Sequence, residues 1–154
     1  MKKNEEVTIT DDTQQVIAVK MVTVGNDISP DPIISSTELG KALCDYIGAD
    51  ASETMVTLFL DKGLHVNAYR RVFSGTVDAT LVSPREIMQT ALLCNASSII
   101  IAYNHPSCNP QPSRADEDTC KIIANACQVM GIRLLDNLIV TPHNYFSFRE
   151  DGLL

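Results

Sequence analysis

The chain has 154 residues, 45% of them hydrophobic and 20% charged, which suits one folded domain and is unlike a disordered or coiled-coil protein. Its formal net charge of −7 offers no broad attraction to phosphates, so direct nucleic-acid binding is not expected. The five cysteines form no Cys-x-x-Cys pair, and the sequence has neither a signal segment nor a run of membrane-spanning length. We therefore expect a cytoplasmic protein with reduced thiols and no membrane anchor.

The first part of the chain predicts an arm, a strand and a helix, in that order. Residues 1–13 are polar and have no apolar periodicity, so we predict a flexible arm there and one folded domain over residues 14–154. The β-branched run at 14–24 predicts a strand. Residues 35–48 predict a helix, whose apolar positions are Leu39, Leu43, Tyr46 and Ile47.

The middle of the chain predicts a β-hairpin followed by a second helix. The alternating runs TMVTLFLD (54–61) and LHVNAYRRVF (64–73) are separated by Lys62-Gly63, which predicts a tight turn. Further on, Ser83 is a suitable N-cap and Glu86 completes a Ser-x-x-Glu capping box, so we predict a helix that begins at this serine.

The last third predicts a buried strand, a helix and two more strands. The unbroken run SSIIIAY (97–103) is typical of a strand buried on both faces. Ser113-x-x-Asp116 predicts the start of a helix. The apolar positions predicted for this helix are Ile122, Ile123, Ala126, Cys127 and Met130. Strands at 132–140 and 144–150 follow, and the order of elements predicts an α/β fold with a central mixed sheet flanked by helices.

The one candidate active site lies just after the buried strand. His105 follows the carboxyl end of that strand, where α/β folds place ligand crevices, and Asp116 lies in the first turn of the next helix. An imidazole and a carboxylate are suitable ligands for zinc. Each residue also has a structural explanation, because Asp116 completes a capping box and His105 precedes Pro106 in a turn.

Several separated motifs resemble the RadC family, a bacterial branch of the JAB/MPN domain metalloproteases. The resemblance spans roughly residues 30–152 and implies the JAB/MPN architecture, which is related to that of cytidine deaminases. The stretch ahead of it is too short for the helix-hairpin-helix segment of longer relatives, so we expect a short form. The matching strings are LFLD, FSGTVDATLV, SPREIMQTAL, NHPSCNPQPSRAD, GIRLLDNLIV and YFSFREDGLL.

The resemblance implies a role for each of five residues. In the active branch of the superfamily a glutamate acts through the metal-bound water, and a His-x-His pair with an aspartate holds zinc. Carried over, Glu53 is the catalytic glutamate, His105 and Asp116 are metal ligands, and Ser113 stabilises the oxyanion. Tyr103 takes the place of the first histidine. A neutral phenol is a poor zinc ligand, so we expect Zn²⁺ binding weakened by the loss of one His ligand.

Two functions remain open on the sequence. One is a zinc-dependent metallopeptidase-type hydrolase, weak or inactive, that needs a substitute ligand such as a Tyr103 phenolate, Cys108 or an extra water. The other is a non-catalytic MPN-type module that binds a peptide or protein partner. The family name suggests DNA repair, but the acidic charge does not support it. A nucleobase deaminase is disfavoured because its Pro-Cys-x-x-Cys motif does not occur. Homo-oligomer formation is left open.

Overall fold

The computed structural model describes residues 32–33, 35–73 and 83–154, and the predicted arm at 1–13 and strand at 14–24 lie outside these residues. So does most of the matching string FSGTVDATLV. The described helices are α1 (Ser36–Ile47), α2 (Pro84–Leu93) and α3 (Arg114–Val129). The described strands are β1 (Thr54–Leu60), β2 (Val66–Phe73), β3 (Ser98–Asn104), β4 (Arg133–Val140) and β5 (Tyr145–Ser147).

The five strands form one mixed sheet in the order β2-β1-β3-β4-β5. Strand β1 is antiparallel to both β2 and β3, β3 and β4 are parallel, and β5 returns antiparallel to β4. All seven residues of the central strand β3 are buried. The predicted α/β fold with a central mixed sheet is confirmed, as is the strand buried on both faces.

Each face of the sheet has its own apolar core. On one face the core lies between the sheet and helices α2 and α3. On the other face the core lies between the sheet and α1, the one described helix on that side. The alternation of side chains along β3 supplies both cores, because Ile99 and Ile101 belong to the first and Ile100 to the second.

Three of the apolar positions predicted to face the core from the helices are wrong, because their side chains are exposed. Tyr46 is 45% exposed and packs edge-on against Tyr69 of β2. Ile122 is 56% exposed and Met130 is 40% exposed. Helical spacing explains α3, because Cys120, Ile123 and Cys127 form its buried stripe and Ile122 points away from it. The predicted apolar positions Ile123 and Cys127 are confirmed.

Helix α2 begins where predicted, but its predicted capping box does not form. Ser83 occupies the N-cap position and its side chain makes no capping hydrogen bond. The carboxylate of Glu86 instead pairs with Arg70 on β2. The ion pair with Arg70 therefore uses the carboxylate that the capping box would need.

The connection between β1 and β2 is longer than predicted, and the last strand is shorter. The hairpin joins β1 and β2 through residues 61–65, and the Asp61 carboxylate accepts hydrogen bonds from the backbone N–H groups of Gly63 and His65. Strand β5 has only three residues because the chain turns after Ser147, and the N–H of Leu153 bonds back to the carbonyl of Phe148. Among the described helices, none is both long and apolar enough to cross a membrane.

Candidate active site

The end of β3 and the beginning of α3 bring His105 and Asp116 together. His105 directly follows β3, and its backbone N–H bonds to the carbonyl of Val140 at the end of the parallel strand β4. Asp116 lies in the first turn of α3. The loop between them returns the chain to the same sheet edge, so that Nε2 of His105 lies 3.5 Å from Oδ2 of Asp116. Both side chains are mostly buried, with 18% and 14% of their surface exposed.

The imidazole of His105 is oriented by both of its nitrogens. Nδ1 lies 2.8 Å from the backbone oxygen of Asn109, which directs Nε2 towards Asp116. A carbonyl on one ring nitrogen is also how proteins orient a histidine that ligates a metal. The hydrogen bond with Asp116 is the main cause that raises the pKa of His105. Burial opposes ionisation of Asp116, but the hydrogen bonds from His105 and Ser113 outweigh it and lower the pKa of Asp116.

Ser113 is engaged with the same aspartate. Its hydroxyl donates to Oδ2 of Asp116 at 2.7 Å and accepts from the Asp116 N–H at 3.3 Å. The Ser113 N–H donates to the same carboxylate oxygen at 2.7 Å, which closes the predicted capping box. The Ser113 hydroxyl proton is therefore committed to Asp116 in this arrangement.

Glu53 is held at the site by Asn104, a residue to which the sequence analysis gave no role. Asn104 is fully buried at the end of β3, and its amide donates to the backbone oxygens of Asp50 and Ser52. Its side-chain oxygen accepts from the N–H of Thr54 at 2.6 Å. These bonds fix the segment that carries Glu53 against the sheet edge. Burial raises the pKa of Glu53, while the charge of His105 lowers it and that of Asp116 raises it, so the three groups lie within electrostatic reach.

Tyr103 lies beneath the site and is 3% exposed. Its ring centroid is 5.7 Å from that of His105, since residues two apart on a strand share a face. Its buried hydroxyl makes no well-formed hydrogen bond to any residue of the described part, although Asn137 and Asp116 lie beside it. Burial raises the pKa of Tyr103 far above its ordinary value, and the charge of Asp116 acts in the same direction. The phenol therefore stays protonated.

The described residues at the site include fewer metal ligands than a catalytic zinc site requires. A catalytic zinc normally takes three protein ligands and a water. Within residues 32–33, 35–73 and 83–154, no three His, Cys, Asp or Glu side chains are grouped closely enough to hold one metal ion. In the metal-free protein burial opposes ionisation of Tyr103, and Cys108 is exposed with its thiol directed at the carbonyl of Pro106. His105 and Asp116 alone do not fit a tightly bound catalytic zinc.

The structure thus brings together Tyr103, His105, Ser113 and Asp116, and Glu53 lies within electrostatic reach of His105 and Asp116. Sequence reasoning missed Asn104 and Asn137. The signal for Asn104 was a polar residue at the end of an otherwise apolar buried strand. Asn137 has a carbonyl oxygen that is buried without a hydrogen-bond partner in the described structure, and only the pairing of β3 with β4 places it beside Tyr103.

Comparison with known proteins identifies the family of this chain. The family model of the RadC-like JAB domain matches residues 33–153. A UPF0758 protein of Streptococcus suis is 39% identical over 120 residues, which are 78% of this chain and 49% of that protein. A UPF0758 protein of Streptococcus sanguinis is 36% identical over 124 residues, covering 80% of this chain and 55% of the relative. This chain spans about half the length of these curated relatives. It belongs to the family of RadC-like JAB domains.

Proposed function

We propose that this chain is a JAB domain whose metallopeptidase-type site binds zinc only weakly, and that it acts as a binding module for a peptide or protein partner. The observation that carries the proposal is the side chain at position 103. A buried, protonated phenol stands where the family resemblance implies the first histidine ligand. Two oriented donors remain, and two donors hold zinc much less tightly than three.

The surface around His105 and Asp116 retains groups that suit the backbone of a bound peptide. Glu53 offers a half-buried carboxyl, and His105 offers an imidazole held in place by Asn109. Ser113 is exposed at the rim. Peptide N–H groups are donors, so the acceptor oxygens of Glu53 and Ser113 suit them, while the ring nitrogens of His105 and the hydroxyl proton of Ser113 are engaged by Asn109 and Asp116. Binding of this kind requires no metal.

A second candidate is a residual hydrolase, and the environment of Glu53 favours it. Burial raises the pKa of Glu53 and so brings its carboxyl closer to the range of a general base. The orientation of His105 by a backbone carbonyl is also that of a metal ligand. These features make weak activity the strongest competitor to the binding-module proposal.

Metal content and zinc-dependent turnover separate the two candidates. Protein purified without chelator is expected to carry far less than one zinc per chain, whereas Tyr103→His is expected to approach one. In excess zinc, cleavage of a mixture of fluorogenic peptides by the wild type should not exceed that of Asp116→Ala. A wild-type rate that depends on zinc and disappears in Asp116→Ala would favour the hydrolase.

A further inference from the structure

A second cleft lies on the α1 face of the sheet, away from the candidate active site. It has a volume of about 580 Å³ and opens where α1 begins, with Ser35 and Ser36 in one wall. Ile100 and Leu135 contribute to its floor. Ile100 and His105 are five residues apart along β3, which is on the order of 16 Å at about 3.3 Å per residue. A ligand in this cleft would therefore leave the surface around His105 free.

The cleft exists because one helix covers this side of the sheet in the described structure. Helix α1 has 12 residues, and its C-terminal end lies close to Thr141 at the far end of β4. The apolar side chains near the beginning of β4 and in the hairpin connection, such as Leu64 and Leu135, are only partly buried. Among the described residues, none fully covers this apolar floor beside the first turn of the helix.

The rim of the cleft is basic, although the chain as a whole has a net charge of −7. Lys62, Arg133 and Arg149 line it, all three are exposed, and none forms an ion pair with a carboxylate of a described residue. Arg149 donates to the backbone oxygen of Leu135, which fixes one cation over the floor. The cleft thus combines three cations that form no ion pair with a described residue and an apolar surface.

Two carboxylates lie near these cations and are engaged elsewhere. Asp136 lines the cleft, but it is 5% exposed and accepts from the hydroxyl of Ser147 and from the N–H groups of Asn137 and Arg149. Glu150 accepts a hydrogen bond from the hydroxyl of Ser36 and is not part of the lining. The three cations therefore outnumber the one carboxylate of the lining.

We propose that this cleft binds the C-terminal end of a peptide, with the α-carboxylate among Lys62, Arg133 and Arg149 and an apolar last side chain on Ile100 and Leu135. Carboxylates form charge-assisted hydrogen bonds with Lys and Arg, and the N-terminal turn of a helix adds positive partial charge. The open form of the cleft suits the end of a longer chain, because small-molecule sites enclose most of their ligand. The cleft is separate from the surface around His105, so binding there does not depend on whether the protein binds zinc.

Fluorescence anisotropy with the full chain tests the inference. The probe is a fluorescein-labelled hexapeptide of glycine and serine that ends in leucine, prepared as the free acid and as the C-terminal amide. We expect the free acid to bind at least about tenfold more tightly than the amide, because only the acid carries the charge. The Lys62→Gln/Arg133→Gln double variant should lose this preference. Lys41→Gln/Arg85→Gln, which removes two exposed cations outside the cleft, should keep it.

Several results would overturn the inference. One is that the protein binds the free acid and the amide of the peptide with equal affinity. Another is that it does not bind the free acid at millimolar concentration. The third is that the Lys62→Gln/Arg133→Gln variant keeps the preference for the free acid. Competition by octanoate with the affinity of the peptide would assign the cleft to small carboxylic acids instead. Thermal melts of all variants establish that a lost preference does not reflect unfolding, and the single variant Lys62→Gln provides a milder change in the same direction.

Discussion

Helices α2 and α3 begin with the same local motif, a serine followed three residues later by an acid, and only α3 closes the capping box. At α3, the short side chain of Asp116 reaches back to the N–H of Ser113 and still lies at ion-pair distance from His105. At α2, the longer side chain of Glu86 extends to Arg70 on β2. In this chain the capping box forms where the tertiary partner of its acid lies on the same side as the helix end, and it does not form where the partner lies elsewhere.

The largest effect expected from this comparison follows removal of the acid at α3. Asp116→Ala deletes the acceptor of two Ser113 hydrogen bonds and the partner of His105, and should lower the free energy of unfolding by about 2 kcal/mol. Urea denaturation measures the loss. The matched variant Glu86→Ala should cost about 0.5 kcal/mol or less, since its ion pair is exposed. Equal costs at the two helices would contradict the comparison.

An intermediate effect is expected at the two serines. Ser113→Ala removes a hydroxyl that caps α3 and should cost about 1 kcal/mol. Ser83→Ala removes a hydroxyl that makes no capping bond and should cost less than about 0.5 kcal/mol. Denaturant melts of the two single variants, made side by side, give the difference. A full capping cost at Ser83 would show that its box does form in solution.

The smallest effect concerns the competition for Glu86. In an Arg70→Ala background the carboxylate of Glu86 loses its partner on β2 and is free to reach the N-cap of α2. The cost of Ser83→Ala should then rise by about 0.5 kcal/mol relative to the same change in the wild type. A double-mutant cycle on unfolding free energies measures this coupling. A coupling of zero would mean that Arg70 does not decide the cap.

The elements that the sequence predicted well are those defined by their own residues. Strand β3 was predicted from an unbroken apolar run, and the start of α3 from a capping box that closes within the helix itself. The placement of Glu53 depends instead on Asn104, whose partners lie about 50 residues away in the chain. No local pattern contains such a contact, so the sequence indicated candidate groups for the site and not what holds them in place.

The burial and protonation of Tyr103 likewise could not be predicted without the fold. The resemblance implied that Tyr103 replaces a metal ligand. Its burial, and the Asn137 oxygen beside it that has no hydrogen-bond partner among the described residues, arise from the packing of α3 on β3 and β4. That packing opposes ionisation of the phenol in the metal-free protein and so disfavours the phenolate that the sequence left open as a ligand. The protonation of Tyr103 therefore depends on the core beneath the site.

Calorimetric titration of the wild type and Tyr103→His with Zn²⁺ tests the central claim most directly. The account predicts that the variant binds zinc at least about tenfold more tightly, because a second imidazole completes the three-ligand set, and that Tyr103→His/Asp116→Ala loses the gain. Tyr103→Phe serves as the matched control, since it changes the same buried ring without adding a ligand, and should bind zinc as weakly as the wild type. Equal zinc affinities for the wild type and Tyr103→His would contradict the claim that position 103 is what weakens the site.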